Sequence, residues 1–292
     1  MGLLEHHGAH GSQPRPSYSA DVPDPLISPS RLRDRLGDPD LVVVDCRWRL
    51  GQPGAGEPLW REGHIPGAAF LDLDRDLAAP PGEEGRHPLP SAEAFEAAAR
   101  RAGIRKSSPV VAYDEAGEAG AARLWWLLRH FGHDEVSVLD GGLRAWREEG
   151  GELSAGEEKI APGDFTAAPP REDTATAEEL SRDRVLLDAR APERYRGEVE
   201  PIDPVAGRIP GAVNVPFAEL APGGCFLPPD ELRARLQAAG VQSGRDAVAY
   251  CGSGVTAAVT VLAAEVAGIG PVRLYPGSWS EWCGRGLPVE RG

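Results

Sequence analysis

No stretch of this 292-residue chain reaches the roughly 18 uninterrupted apolar residues of a membrane-spanning helix, and no membrane association is expected. Basic charge is also short. With 31 Lys and Arg against 45 Asp and Glu, the net charge is −14, which argues against a nucleic-acid groove, where cations must replace phosphate counterions. The opening residues lack the basic start, apolar middle and small-residue cleavage site of an export signal. A cytoplasmic location is therefore expected, with 1–22 read as a disordered leader despite its His6, His7 and His10.

Cysteine is scarce and scattered. Cys46, Cys225, Cys251 and Cys283 form no C-x-x-C pair, and no histidine stands at ligand spacing, so neither a metal site nor a disulfide framework is signalled. Free thiols are expected in a reducing compartment. Cys46 and Cys283 read as small core residues and Cys225, in "PGGCFLPP", as a loop residue with nothing beside it to activate its thiol.

What is present is a domain-sized repeat. "LVVVDCRW", "GHIPGAAFLDLD", "PVVAYDEAGEAGAARLWWLLRHFG" and "VSVLDGGLRAW" return in order as "VLLDARAPERY", "GRIPGAVNVPF", "AVAYCGSGVTAAVTVLAAEVAG" and "VRLYPGSWSEW". Short Val/Leu runs separated by helical stretches are the pattern of a buried parallel sheet with helices on both faces, so the fold class is α/β, twice. Ser28 before Pro29 and Thr176 before Glu179 mark helix starts. The division expected is a first domain at 23–150, a Gly/Pro-rich charged linker at 151–172 and a second domain at 173–290, packed face to face around a shared pocket.

Cys251 ends the apolar run "AVAY" and precedes a helical run, which places it on a strand-to-helix turn. Gly252 and Gly254 let the backbone curl so that successive N–H groups, through Val255 and Thr256, face a common centre. The following helix adds its positive end, and Ser253 and Thr256 add hydroxyls. Such a cradle favours an anion, a thiolate or a persulfide, and sulfur moves on and off a cysteine without metal or organic cofactor. Cysteine-dependent phosphatases share this corner but need C-x5-R, and here that position is Ala257.

Together "GHIPGA", "GRIPGAVNVPF", "CGSGVTA" and "PGSWSEW" resemble the two-domain rhodanese-type sulfurtransferases over residues 23–290. The resemblance implies two tandem rhodanese-like domains, the first inactive, with Asp114 standing where the second has Cys251. The loop "CGSGVTA" looks like that of the 3-mercaptopyruvate sulfurtransferases, which implies a small anionic sulfur donor, a Cys251 persulfide, and a thiol acceptor such as thioredoxin, or cyanide. Thiosulfate as donor stays open, as does a sulfur-carrying or sulfur-sensing module without turnover.

By the same resemblance, Arg194 and Arg190 are expected to bind the donor, although Arg190 has Asp188 as another partner. Trp48 and Tyr113 are expected as aromatic walls of the crevice or as ordinary core residues, Trp279 as a brace for the loop, and Ser253 with His64 as a proton relay, unless His64, replaced by Arg208 in the second copy, fixes a repeated structural turn instead. No aspartate in "GQPGAGEPLWRE" supplies a third relay member. The stretch "EPID" lacks the second arginine that mercaptopyruvate enzymes carry downstream.

Overall fold

The computed structural model describes residues 24–117, 119–180 and 184–292; the expected leader lies outside the described residues. The first half comprises β1 (Leu26–Ile27), α1 (Pro29–Arg35), β2 (Val42–Asp45), α2 (Gly56–Glu62), β3 (Ala69–Phe70), α3 (Leu73–Asp76), α4 (Ala92–Arg101), β4 (Val110–Tyr113), α5 (Gly120–His130), β5 (Val136–Leu139) and α6 (Gly142–Glu148). The second comprises β6 (Val185–Asp188), α7 (Pro192–Tyr195), β7 (Val213–Asn214), α8 (Phe217–Leu220), α9 (Pro229–Ala238), β8 (Ala247–Tyr250), α10 (Ala257–Val266), β9 (Arg273–Leu274) and α11 (Ser278–Gly284).

Each half builds one parallel sheet, in the order β1-β5-β4-β2-β3 and then β7-β6-β8-β9. A parallel bridge from Thr174 to Leu274 at the β9 edge answers β1 in the first sheet. Strand residues alternate between two cores, as a sheet covered on both faces requires. Val44, Ala112, Val138, Leu187 and Ala249 point into one continuous core, whereas Val43, Val111 and Leu139 face a second core and Leu186, Val248 and Tyr250 a third. The continuous core is common to both halves because α5 and α10, whose residues are nearly all buried, pack on each other. These are the helices that follow the two copies of the "VAY" strand.

Local signals explain the ends of the elements. Ser28 Oγ accepts from Arg31 N and Pro29 opens α1. Thr176 and Glu179 do form a reciprocal capping box, but over a single 3-10 turn, Ala177–Glu179, in place of a longer helix. Residues 151–172 contain no helix and run as a strap along the first half. Ser154 bridges His64, Gly163 N donates to Arg100 O at 2.8 Å, and Phe165 is fully buried.

Candidate active site

Cys251 is buried at the end of β8. Its amide donates to Ser278 Oγ at 3.1 Å, and its carbonyl accepts from Trp279 N at 3.0 Å. Trp279, itself fully buried, donates its indole N–H to Val205 O, so the "PGSW" turn props the cysteine corner from behind. Gly254 has a φ of +77°, and a Cβ there would stand 2.4 Å from Pro276 O, so any side chain would break the curl. Among the described residues, the amides of Gly252, Ser253, Gly254, Val255 and Thr256 donate to no protein acceptor, which leaves them available to an anion.

The first half demonstrates that affinity. Asp114 occupies the position matched by Cys251, and its carboxylate accepts from Gly117 N at 2.8 Å and Ala121 N at 3.2 Å. The copy of the cradle in the first half thus holds its own carboxylate, whereas among the described residues the amides from Gly252 to Thr256 in the second half have no such partner.

The first half also lends side chains to the cysteine loop. His87 Nδ1 lies 2.7 Å from Ser253 Oγ, and His87 Nε2 lies 3.2 Å from Asp74 Oδ1. The Trp48 indole N–H donates to Asp74 Oδ2 at 3.0 Å, and its ring stands edge-on to His87. Burial pushes the His87 imidazole down to about 4, with Arg123 and Arg86 acting in the same direction and Asp74 opposing them. The ring is therefore neutral at pH 7, with Nε2–H donating to Asp74 and Nδ1 accepting from Ser253, as the partners dictate.

Arg123 on α5 ties the two halves at this point. Fully buried, it donates to Leu77 O (3.2 Å), Gly254 O (3.2 Å), His87 O (3.1 Å) and Pro88 O (3.3 Å). Burial lowers it to about 10, still a cation at neutral pH. One guanidinium thus spans the His87 segment and the cysteine loop. A cleft of about 840 Å³ is lined by Trp48, Asp74, Arg86, His87, Pro201 and Ile202 among others, so it meets the cysteine loop through His87 and Arg86.

Three expected site residues are elsewhere. His64 is wholly buried: its Nδ1 faces Trp60 O at 2.7 Å and its Nε2 faces Glu158 at 3.0 Å, so both ring nitrogens are spent holding a turn. Arg208 does the same in the second half through Glu290. The histidine that reaches Ser253 is His87, in "GRHPLP", and the aspartate at its other ring nitrogen is Asp74 in "LDLD".

Tyr113 is a core residue whose OH accepts from Ile65 N at 3.1 Å, as Tyr250 accepts from Ile209 N at 3.2 Å. Arg190 is 1% exposed, paired with Asp188 at 2.6 Å and bonded to Gly207 O. Burial alone would lower Arg190, but Asp188 holds it above the ordinary arginine range. Arg47 repeats that pairing with Asp45 and Gly63 O. Both tyrosines and both arginines therefore belong to the repeated scaffold and cannot line a crevice.

Arg194 stands beside the loop, held by Glu200 at 2.7 Å, and Trp48 borders the cleft. Of the other cysteines, Cys46 and Cys283 are buried and Cys225 is exposed. Burial raises Cys46 well above the usual thiol range, with Asp45, Asp114 and Asp76 adding to it, and burial likewise raises Cys225 and Cys283.

The rhodanese-like domain model matches this chain twice, at residues 28–149 and 173–285. The chain belongs to the rhodanese family. A Pseudomonas aeruginosa rhodanese relative provisionally named a 3-mercaptopyruvate sulfurtransferase is 48% identical over 88% of this chain and 94% of its own length. A Mycobacterium tuberculosis relative provisionally named a thiosulfate sulfurtransferase is 46% identical over 91% of this chain and 97% of its own. Among solved structures, the rhodanese-fold SseA from Escherichia coli, a 3-mercaptopyruvate sulfotransferase, superposes with a TM-score of 0.77 at 34% identity, over 88% of this chain and 100% of that one. This two-domain rhodanese protein is a sulfurtransferase enzyme.

Proposed function

We propose that the enzyme takes sulfur from 3-mercaptopyruvate onto Cys251 and passes it to a thiol acceptor. The Cys251 thiolate attacks the donor sulfur, the C–S bond breaks, and its electron pair moves into the ketone as the pyruvate enolate. The proton of the donor thiol goes to the enolate carbon, leaving pyruvate and a persulfide on Cys251. A second thiolate then attacks the outer sulfur, carries it off as its own persulfide and returns Cys251 as thiolate. Cyanide serves equally and leaves as thiocyanate.

The observation that carries this reading is the Asp74–His87–Ser253 chain beside the cysteine. A carbon leaving group needs a proton managed at the moment the C–S bond breaks. Sulfite, the leaving group from thiosulfate, needs none. Ser253 Oγ is placed to take the donor proton while its own passes to His87 Nδ1, with Asp74 supporting the transient imidazolium. An imidazolium lowered to about 4 returns that proton readily. The free amides of the Cys251 loop stabilise the persulfide anion.

Thiosulfate is the second reading, favoured by the name of the mycobacterial relative. The two readings are tested by comparing kcat/KM for both donors in wild type, Ser253→Ala and Cys251→Ser. The expected result is a preference for mercaptopyruvate, a Ser253→Ala loss confined to that donor, and no turnover in Cys251→Ser. A wide preference for thiosulfate would overturn the donor, and an active Cys251→Ser would overturn the mechanism.

We place the reaction in the cytoplasm, where the four free cysteines suit a reducing medium. A thioredoxin-like protein thiol is the proposed acceptor. Leu50 and Ile202, exposed apolar side chains bordering the cleft from either half, fit a protein surface.

A further inference from the structure

We propose that Arg86 is a donor-binding residue, and that Arg86 and Arg194 form a two-guanidinium fork, one arm from each domain, for the carboxylate of the donor. This rests on the mercaptopyruvate reading and names the group that recognises its acid end.

Arg86 is carried by an arm of the first domain that lies directly on the second. Gly85, with a φ of +107°, approaches so closely that a Cβ there would stand 2.8 Å from Ser280 Oγ and 2.9 Å from Gly277 O. The Arg86 amide donates to Ser280 Oγ at 3.2 Å, so its backbone is anchored to α11. The side chain then turns toward the cysteine loop. Its Nη2 would meet a Cβ on Gly252 at 2.8 Å, and Arg194 Nη2 and Nη1 would meet the same point at 3.5 and 3.6 Å. Two cations from different domains converge on the one residue beside Cys251 that has no side chain.

Both are held in place without being used up. Arg194 spends Nε and Nη2 on Glu200, at 3.1 and 2.7 Å. Arg86 spends Nη1 on Asp203, while its Nε is buried with no partner. Among the described residues, Arg86 Nη2 and Arg194 Nη1 have no protein acceptor. Asp203 already shows what fits between them: one of its carboxylate oxygens goes to Arg86 and the other to Arg194 Nη2, at 3.3 Å. A planar carboxylate offered to the unshared edges meets the same paired geometry. The second arginine that "EPID" lacks in the chain after Arg194 arrives instead from the other domain.

The test is steady-state kinetics with 3-mercaptopyruvate and a fixed thiol acceptor, together with inhibition by pyruvate, which carries the same carboxylate without sulfur. Wild type, Arg86→Ala and Arg86→Lys are compared, with matched thermal melts to show that each variant is folded. Arg86→Ala is expected to raise KM and the pyruvate inhibition constant together, by about tenfold or more, with kcat within a few-fold. Arg86→Lys, which keeps the charge and loses the fork, falls between. If KM and pyruvate inhibition do not move, or if kcat falls while KM stays, Arg86 only supports the loop and the proposal is wrong. If wild type itself does not turn over mercaptopyruvate, the donor reading fails and the proposal fails with it; if wild type does and Arg86→Ala matches it, the proposal alone fails.

Discussion

His87 Nδ1 of the first domain lies 2.7 Å from Ser253 Oγ of the second. The first domain, with Asp114 where the second has Cys251, therefore sets a side chain against the cysteine loop of the other. The shared apolar core through α5 and α10 suits that contact, since a hydrogen bond across an interface keeps its length only if the interface is rigid.

If His87 and Ser253 act as a relay, His87→Ala should lower kcat for mercaptopyruvate by roughly 10²-fold with a much smaller change in KM. His64→Ala should leave the donor kinetics near wild type and act on stability only. Equal kcat losses from the two variants would contradict the assignment.

The pH dependence follows from the buried imidazole. The working form of His87 is neutral and its folded value is about 4, against 6.5 for a free histidine. The kcat profile should stay flat from pH 7 through 6.5 and fall only as the pH approaches 4. The same shift affects stability. Between 6.5 and 4 the unfolded chain binds the proton that the folded chain refuses, so the contribution of this group is complete above 6.5 and declines as pH falls through that window. An acid limb near 6.5 that disappears in His87→Ala would show the ring to be solvated.

Arg123→Met removes a donor from four carbonyls at once and leaves those of Leu77, His87 and Gly254 buried without one, while Pro88 O keeps Ala79 N. The cost should be about 3 kcal/mol or more in urea unfolding, since each unsatisfied group carries about 1–3 kcal/mol. Turnover should fall too, because the same guanidinium sets the spacing of the His87 segment and the Gly254 turn. Arg123→Lys should recover part of both. A variant with unchanged stability would mean the carbonyls have found other donors.

Tyr113→Phe should cost about 1 kcal/mol, the usual worth of one buried hydrogen bond, by releasing Ile65 N. It should leave KM for the donor unchanged. A raised KM would restore Tyr113 to the crevice wall.

Much of this protein is written locally in the chain. Apolar runs of strand length, the four repeated signposts and the Gly-rich corner after "AVAY" are short-range patterns, so the α/β class, the tandem arrangement and Cys251 with its loop are legible without coordinates. The roles of Arg190, Tyr113 and His64 are legible only in part. The repeat offers Asp188 as a partner for Arg190 and a structural turn for His64, which Arg208 replaces in the second copy, but that all three side chains turn inward is shown by their bonds, matched in Arg47, Tyr250 and Arg208.

His87, Asp74, Arg86 and Arg123 show the opposite case. Nothing in "LDLD", "GRHPLP" or "AARLWW" marks them, because His87, Arg86 and Arg123 act on a loop more than a hundred residues away, with Asp74 behind His87, and that loop is brought to them when α5 packs on α10. The chain alone determined where Cys251 stands, since a strand, a turn and a helix start are local. Only the tertiary structure decided which groups surround it, since His87, Arg86 and Arg123 come from the other domain and depend on how two buried faces meet.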